Sequence, residues 1–158
     1  MKYADQVIRM TKSATEHLFR TARPMPPDKL TWKVQDQGRS ALDQIQECAQ
    51  SSLWFAPMLV NQRAPEFTEE GMAAAAKQRA AWTTLDACEK ACKEHNKALF
   101  QAVRDFPEAD WNKEIKLPFG ENFVASMADI ALFHYWNLVY HTGQIGFIQT
   151  LYGDRDMH

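Results

Sequence analysis

A series of polar side chains near the C-terminus is the part of the sequence best suited to chemistry. His134, Asn137, His141 and Gln144 follow at steps of three and four within the stretch ALFHYWNLVYHTGQIGFIQTLYGD. This spacing puts them on one face of a helix, between apolar turns of the same face. Asn137 and His141 are four residues apart, so their side chains stack about 6 Å apart along the helix axis. The two side chains can therefore converge on one ion or ligand.

Buried imidazole and amide groups need partners, because each unsatisfied group costs on the order of 1 to 3 kcal/mol. Glu47 could be such a partner, since it lies beside the apolar positions Ile45 and Cys48 of an earlier helical segment. A carboxylate and an imidazole from facing helices can form a metal site in a bundle. Two alternatives stay open: a water-filled or internally hydrogen-bonded polar core, and a glutamate that is solvated at the surface.

The cysteines suggest two rival sites. Cys88, Cys92 and His95 share one helix face, and thiolate with imidazole suits zinc, but small core cysteines give the same pattern and no fourth ligand is evident. Cys48 adjoins Glu47, whose charge would raise the pKa of the thiol rather than activate it as a nucleophile. The sequence has no glycine-rich phosphate loop, G-x-S-x-G elbow or H-E-x-x-H motif.

Helical spacing and a content of only six glycines predict an all-α fold. Ser40 and Asp43 have the spacing of a capping box, Pro24 and Pro57 are expected to end the first two helices, and Gly153 to follow the last. Three prolines in RPMPPDKLTWKVQDQG argue against a regular element there. The four predicted helices span residues 3–22, 40–55, 68–103 and 123–152.

The connections between these helices, about 11 to 18 residues, are long for an up-and-down bundle, so at least one is expected to cross it. With 46% hydrophobic residues, residues 1–158 are expected to form a single domain. A net charge of -2 argues against a nucleic-acid partner. No apolar run approaches the roughly 20 residues that span a bilayer, so no membrane association is expected. Three cysteines, an odd number, are typical of free thiols in the cytoplasm.

The segments NLVYHTGQIGFIQTLYG, GRSALDQIQECA and LTWK together resemble the DinB/YfiT-like family of small bacterial four-helix proteins, and the resemblance covers nearly the whole chain. The resemblance implies an antiparallel four-helix bundle and a homodimer. Proteins of the family that this chain resembles carry the motif H-x-x-x-H-R-G-Q-I in the last helix and a third histidine in the second helix. Those three histidines bind a divalent metal such as nickel or zinc.

Carried onto this chain, the three ligand positions fall on Glu47, Asn137 and His141, and Thr142 stands where the arginine would be. One carboxylate, one amide and one imidazole form a harder ligand set than three imidazoles, which favours manganese, iron or magnesium, or no tightly held ion. The resemblance implies a divalent-metal-dependent enzyme of the thiol-transferase or hydrolase type that acts on a small molecule. Nickel, zinc, manganese and iron are the candidate metals, and His134 and Gln144 would line the pocket. The alternative is a non-catalytic bundle that binds a small ligand or partner after its metal site has decayed.

Overall fold

The computed structural model describes residues 2–118, 120–121 and 123–158, most of which are helical. Four long helices form the bundle, and the other elements lie in the connections between them. The helices are α1 (Tyr3–Ala22), α2 (Pro27–Leu30), α3 (Ala41–Asn61), α4 (Glu69–Ala80), α5 (Leu85–Asp105) and α6 (Met127–Leu151). A short antiparallel hairpin pairs β1 (Glu114–Lys116) with β2 (Val124–Ser126) just before α6.

The first two predicted helices have different outcomes. The prediction for α1 is confirmed at both ends. Pro57 was expected to end the second helix, but α3 continues through it to Asn61. Pro57 is exposed, whereas Met58 and Leu59 beyond it are buried, so apolar burial on the next turn outweighs the hydrogen bond that a proline loses. The expectation of no regular element before α3 was also wrong, since Pro27 begins the one-turn helix α2 at a position that tolerates proline.

The long third helix that periodicity predicted is two helices. Thr68 caps α4 as expected, and the chain then breaks before Thr84 caps α5 by accepting a hydrogen bond from the Ala87 amide. The last helix begins at Met127 rather than Phe123, because Ser126 forms a capping box with Asp129 there.

Going around the bundle axis, the four long helices follow in the order α1, α6, α3, α5, and α5 contacts α1 again. Near their N-termini, the Tyr3 hydroxyl donates to the Ala128 carbonyl at 2.6 Å, and near their C-termini the Gln149 amide donates to the Thr21 carbonyl at 2.9 Å, so α1 and α6 run in the same direction. Since α1 and α3 are diagonal, the connection between them crosses the bundle. The predicted all-α bundle with a crossing connection is confirmed. Among the described residues, no helix is long and apolar enough to cross a membrane.

The core consists of two apolar clusters stacked along the bundle axis. One cluster contains Leu59, Leu99 and Ile130, and the other contains Leu18 and Ile45. Each long helix contributes buried polar side chains at the height between the two clusters. We call this set the polar layer: Thr11, Ser51, Ser52, Asn96 and His134.

Candidate functional site

The carboxylate of Glu47, in the second turn of α3, is the centre of a polar cluster beside the core. Its Oε1 accepts a hydrogen bond from Asn137 Nδ2 at 3.0 Å and lies 3.1 Å from His141 Nε2. Its Oε2 lies 2.6 Å from Nη1 of Arg39, which immediately precedes the Ser40 cap of α3. The contact with His141, followed by those with Arg39 and Asn137, lowers the pKa of Glu47 to about 2 against the opposing effect of burial. Glu47 is therefore an ionised carboxylate at neutral pH.

The imidazole of His141 is buried and contacts acceptors on both sides. Its Nδ1 lies 3.0 Å from Gln44 Oε1 and 2.7 Å from Gln144 Oε1. Because both partners are carbonyl oxygens, Nδ1 carries a hydrogen and donates it. This arrangement aims Nε2 at Glu47, and it is the contact by which proteins orient a metal-binding histidine.

Asn137 completes the cluster and leaves one polar atom unused. Its Oδ1 is buried and has no hydrogen-bond partner among the described residues. The fold therefore brings the carboxylate of Glu47, the imidazole of His141 and the amide of Asn137 together.

The residues of this cluster fit a divalent ion of modest affinity. Two ligand atoms that bind the same Zn²⁺ ion, each at about 2.1 Å, lie roughly 3.0 to 3.4 Å apart. His141 Nε2 and Glu47 Oε1 are separated by 3.1 Å, which is within this range. The unpartnered Oδ1 of Asn137 is an acceptor that a cation would satisfy. Within residues 2–118, 120–121 and 123–158, no three His, Cys, Asp or Glu side chains gather to hold an ion. Any ion at the cluster therefore depends on the amide and on water.

A cavity of about 450 Å³ opens onto the His141 side of the cluster. Gln144 borders it, together with Arg39, Gln44, Tyr140 and Phe147. Sequence reasoning missed Arg39 and Gln44. Gln44 lies three residues before Glu47, a spacing that shares a helix face and was available as a signal.

His134 belongs to the polar layer and does not border this cavity. Its side chain is fully buried, its Nδ1 lies 2.7 Å from Ser51 Oγ, and its Nε2 has no partner among the described residues. Burial lowers the pKa of His134 to about 3, so the ring is neutral.

The rival cysteine constellation forms separate core contacts. Cys88 Sγ lies 3.5 Å from the Trp82 carbonyl, Cys92 Sγ lies 3.9 Å from the Cys48 carbonyl, and His95 Nδ1 lies 2.8 Å from the Ala49 carbonyl. Burial raises the pKa of the Cys88 and Cys92 thiols to about 11 and about 12, and that of Cys48 well above its usual value. These thiols are protonated at neutral pH, which argues against nucleophilic chemistry. The separate contacts of the three side chains argue against a shared zinc ion.

Solved structures with the same fold carry related descriptions. YfiT from Bacillus subtilis, described as a probable metal-dependent hydrolase with an unusual four-helix bundle topology, matches with a TM-score of 0.74 and 13% identity over 95% of this chain and 87% of YfiT. A DinB-like protein from Bacillus subtilis, YjoA, matches with a TM-score of 0.64 and 14% identity over 97% of this chain and 96% of that protein. The fold is therefore DinB/YfiT-like.

A third similar structure is that of the colibactin self-resistance protein ClbS in complex with a dsDNA. It matches with a TM-score of 0.66 and 12% identity, over 93% of this chain and 95% of ClbS. No protein-family model matches the sequence, and no curated protein does. At these identities the similarity establishes the fold, and the chemistry has to be argued from the side chains.

Proposed function

We propose that this protein is a divalent-metal-dependent enzyme of the hydrolase or thiol-transferase type that acts on a small molecule. Glu47, Asn137 and His141 would hold the ion, with manganese, iron, zinc and nickel as candidates. The small molecule would enter through the cavity beside His141. The description of YfiT as a probable metal-dependent hydrolase supports this proposal, and so does the altered ligand set, which still offers three donors.

One observation carries the proposal. The hydrogen of His141 is held on Nδ1 by Gln44 and Gln144, yet Nε2 faces the ionised Glu47 Oε1 at 3.1 Å. Two electron-rich atoms at that separation need a proton or a cation between them. A divalent ion satisfies both atoms and gives the unpartnered Oδ1 of Asn137 a role as well.

The side chains around the cluster have distinct tasks in such an enzyme. Gln44 and Gln144 fix the orientation of His141, and Arg39 holds Glu47 by its second oxygen. Tyr140 and Phe147 form an apolar wall of the cavity that would exclude water from a bound substrate. A bound ion would supply Lewis acidity, polarising the substrate or lowering the pKa of a nucleophile.

A second candidate function rests on the contact between Arg39 and Glu47. Arg39 Nη1 lies 2.6 Å from Glu47 Oε2, so Arg39 and a doubly protonated His141 ring would neutralise the carboxylate without any metal. In that case the cluster is a self-contained polar network, and the protein is a non-catalytic bundle that binds a small ligand in the same cavity.

Metal binding separates the two candidates. We expect protein purified without chelator, or incubated with manganese, nickel or zinc, to hold close to one ion per chain, and His141→Ala to lose it. His17→Ala is the matched control, because His17 is exposed and does not border the cavity beside His141. Elemental analysis and titration calorimetry provide the measurement. If wild-type protein binds none of the three metals, the metal-dependent candidate is wrong and the non-catalytic candidate remains.

The partners and location of the protein follow from composition and belong to the same proposal. A net charge of -2 argues against nucleic acid as a partner, whereas the complex of ClbS with dsDNA argues for a test. A gel-shift assay with duplex DNA at low salt is that test, and we expect no shift. The predicted cytoplasmic location rests on the free thiols, all three of which are buried.

A further inference from the structure

A groove of about 560 Å³ lies between α1 and α5, away from the cluster around Glu47. The two grooves differ in their helices, because the cluster lies between α3 and α6. None of the described residues that line this groove borders the cavity beside His141. Its volume is within the roughly 300 to 1,000 Å³ of small-molecule sites. We call this space, between residues 12–16 of α1 and residues 93–104 of α5, the basic groove.

The floor of the basic groove is formed by buried side chains of both helices. On α5, Asn96, Phe100 and Arg104 follow at steps of four and share one face. Asn96 is 3% exposed and Phe100 is 9% exposed, and Thr15 of α1 is 3% exposed beside them. The floor therefore has a polar end at Asn96 and an apolar surface at Phe100.

The amide of Asn96 has one atom that the protein leaves unused. Thr15 Oγ1 donates to the Thr11 carbonyl at 2.8 Å, so the Thr15 oxygen can only accept from Asn96. Asn96 Nδ2 accordingly donates to Thr15 Oγ1 at 3.3 Å, and Asn96 Oδ1 is buried with no partner among the described residues. A buried carbonyl oxygen without a donor is unfavourable. A ligand with an N–H or O–H group would satisfy it.

The rim of the basic groove carries mostly positive charge, although the whole chain has a net charge of -2. Its charged side chains are Lys12, Lys93, Lys97, Arg104 and Glu16. Lys93 and Lys97 form ion pairs with two glutamates of α5, at 2.6 and 2.5 Å. Within the described part of the chain, Lys12 and Arg104 form no ion pair, and Lys12 Nζ lies 5.7 Å from the centre of the Phe100 ring. Two unpaired cations, one from each helix, therefore lie near Phe100.

The donor, the apolar body and the anion that this groove selects belong to one small molecule. At 1.5 Å per residue, Phe100 lies about 6 Å and Arg104 about 12 Å along the axis from Asn96. A carboxylate would pair with Lys12 and Arg104, and a ring would contact Phe100. We propose that the basic groove binds a small organic acid that carries an apolar ring and, at the end opposite its carboxylate, a hydroxyl or amino group. This site is independent of any metal at Glu47.

Titration calorimetry of the full chain with 4-hydroxyphenylacetate, in the presence of chelator, tests the proposal. We expect one molecule to bind per chain with a dissociation constant of about 1 mM or below. Arg104→Gln should raise this constant at least about tenfold, because it removes a charge-assisted hydrogen bond, and Lys12→Met should act in the same direction. Arg20→Gln is the matched control, since Arg20 is exposed on α1 outside the groove. Equal affinity of the two Arg→Gln variants, or no binding by wild type, would overturn the proposal.

Two analogues test the ends of the ligand separately. Phenylacetate lacks the hydroxyl and should bind wild type about fivefold more weakly, and 4-hydroxyphenylacetamide lacks the charge and should bind at least about tenfold more weakly. Asn96→Leu should bind the two acids equally, because it removes the acceptor. This ratio of affinities does not depend on the stability of the variant, and circular dichroism verifies its fold. Wild type that binds all three compounds equally would contradict the assigned contacts.

Binding elsewhere gives a different pattern. His141→Ala should leave the affinity for 4-hydroxyphenylacetate unchanged, because His141 does not line the basic groove. Loss of binding in His141→Ala but not in Arg104→Gln would place the acid in the cavity beside His141 and overturn the proposal. Hexaglutamate that binds wild type where 4-hydroxyphenylacetate does not would assign the groove to an acidic peptide instead.

Discussion

Two histidines of α6 that look alike in the sequence have opposite environments. His141 contacts three polar side chains, Gln44, Gln144 and Glu47, and Asn137 donates to the same Glu47 carboxylate. His134, two turns earlier, has Ser51 as its one hydrogen-bond partner within the described part of the chain, and its side chain is fully buried. The difference follows from the surroundings, since α3 presents a carboxylate at one height of the bundle and a hydroxyl at the other. A neutral imidazole suits the hydroxyl of Ser51 beside His134, whereas a charged or metal-bound imidazole suits the carboxylate of Glu47 beside His141.

At the residue scale, replacing His134 with Gln should make the protein less sensitive to acid. The pKa of His134 is about 3 in the folded chain and 6.5 for an ordinary histidine, as in the unfolded chain, so the unfolded state gains the proton first. Its contribution to stability is complete above pH 6.5 and declines as the pH falls towards 3. Between pH 7 and pH 5, protonation of the unfolded state lowers the free energy of unfolding of the wild-type protein by on the order of 2 kcal/mol. The variant has no histidine at this position and is not destabilised in this way.

Urea unfolding at pH 7, 6 and 5 measures the effect of His134. The variant His17→Gln is the control, because it removes an exposed histidine by the same substitution. The prediction concerns the slope of the unfolding free energy with pH, so it is separate from any loss of stability that the variant has at pH 7. Equal slopes in wild type and His134→Gln would show that burial does not keep this ring neutral.

At the element scale, hydroxyl caps decide where the helices begin. Ser40, Thr68, Thr84 and Ser126 each accept a hydrogen bond from the backbone amide three residues later. The cap at Ser126 has the added function of ending β2, so one residue fixes both the hairpin and the start of α6. The start of α6 in turn sets the height at which Asn137 and His141 face α3.

The variant Ser126→Ala should therefore lower stability by about 1 kcal/mol, as the loss of a helix cap usually does. It removes the hydrogen bond from the Asp129 amide at 3.1 Å and that from the Ser126 hydroxyl to Asp129 Oδ2 at 2.6 Å. For a chain of this size the midpoint of thermal unfolding should fall by about 3 °C. Ser13→Ala, at an exposed position within α1, is the control and should change the midpoint by less. Equal midpoints for the two variants would contradict the role of the cap.

Local spacing predicted the elements better than it predicted their interruptions. The apolar steps from Ala81 to Leu99 continue through the break between α4 and α5, so periodicity alone joined the two helices, and only the cap at Thr84 marks the new start. In the same way, Pro57 signals an end that burial of the following turn overrides. Local patterns report what a segment can form, whereas packing between segments decides what it does form.

The candidate site was predictable where it depended on one helix face and not where it depended on the approach of another segment. Asn137 and His141 share a face by spacing, and the resemblance to four-helix proteins pointed to Glu47. Arg39 reaches Glu47 because of the path that the chain takes into α3, and Gln44 reaches His141 because α3 and α6 run in opposite directions. The local sequence gives no signal for the Arg39 contact, and for Gln44 it gives only the spacing of three residues from Glu47.

At the scale of the whole molecule, the bundle brings side chains that are distant in the sequence to the same level along its axis. Glu47 and His141 are 94 positions apart in sequence, and the helices that carry them are held together by the apolar clusters above and below the polar layer. In the unfolded chain these side chains are far apart on average, so only the folded bundle presents them together. A ligand that binds both side chains therefore stabilises the folded state in proportion to its affinity.

The last prediction uses this linkage between the site and the fold. A divalent ion at a free concentration of 100 times its dissociation constant should stabilise the protein by about 2.7 kcal/mol and raise the midpoint of thermal unfolding by about 5 to 10 °C. His141→Ala should remove this rise, whereas Trp136→Ala, on the far side of α6, should retain it. Scanning calorimetry with manganese, nickel or zinc, and with chelator, provides the measurement. A midpoint that does not change with any of the three ions would mean that Arg39 and a charged His141 already neutralise Glu47, and that this polar network makes no use of a metal.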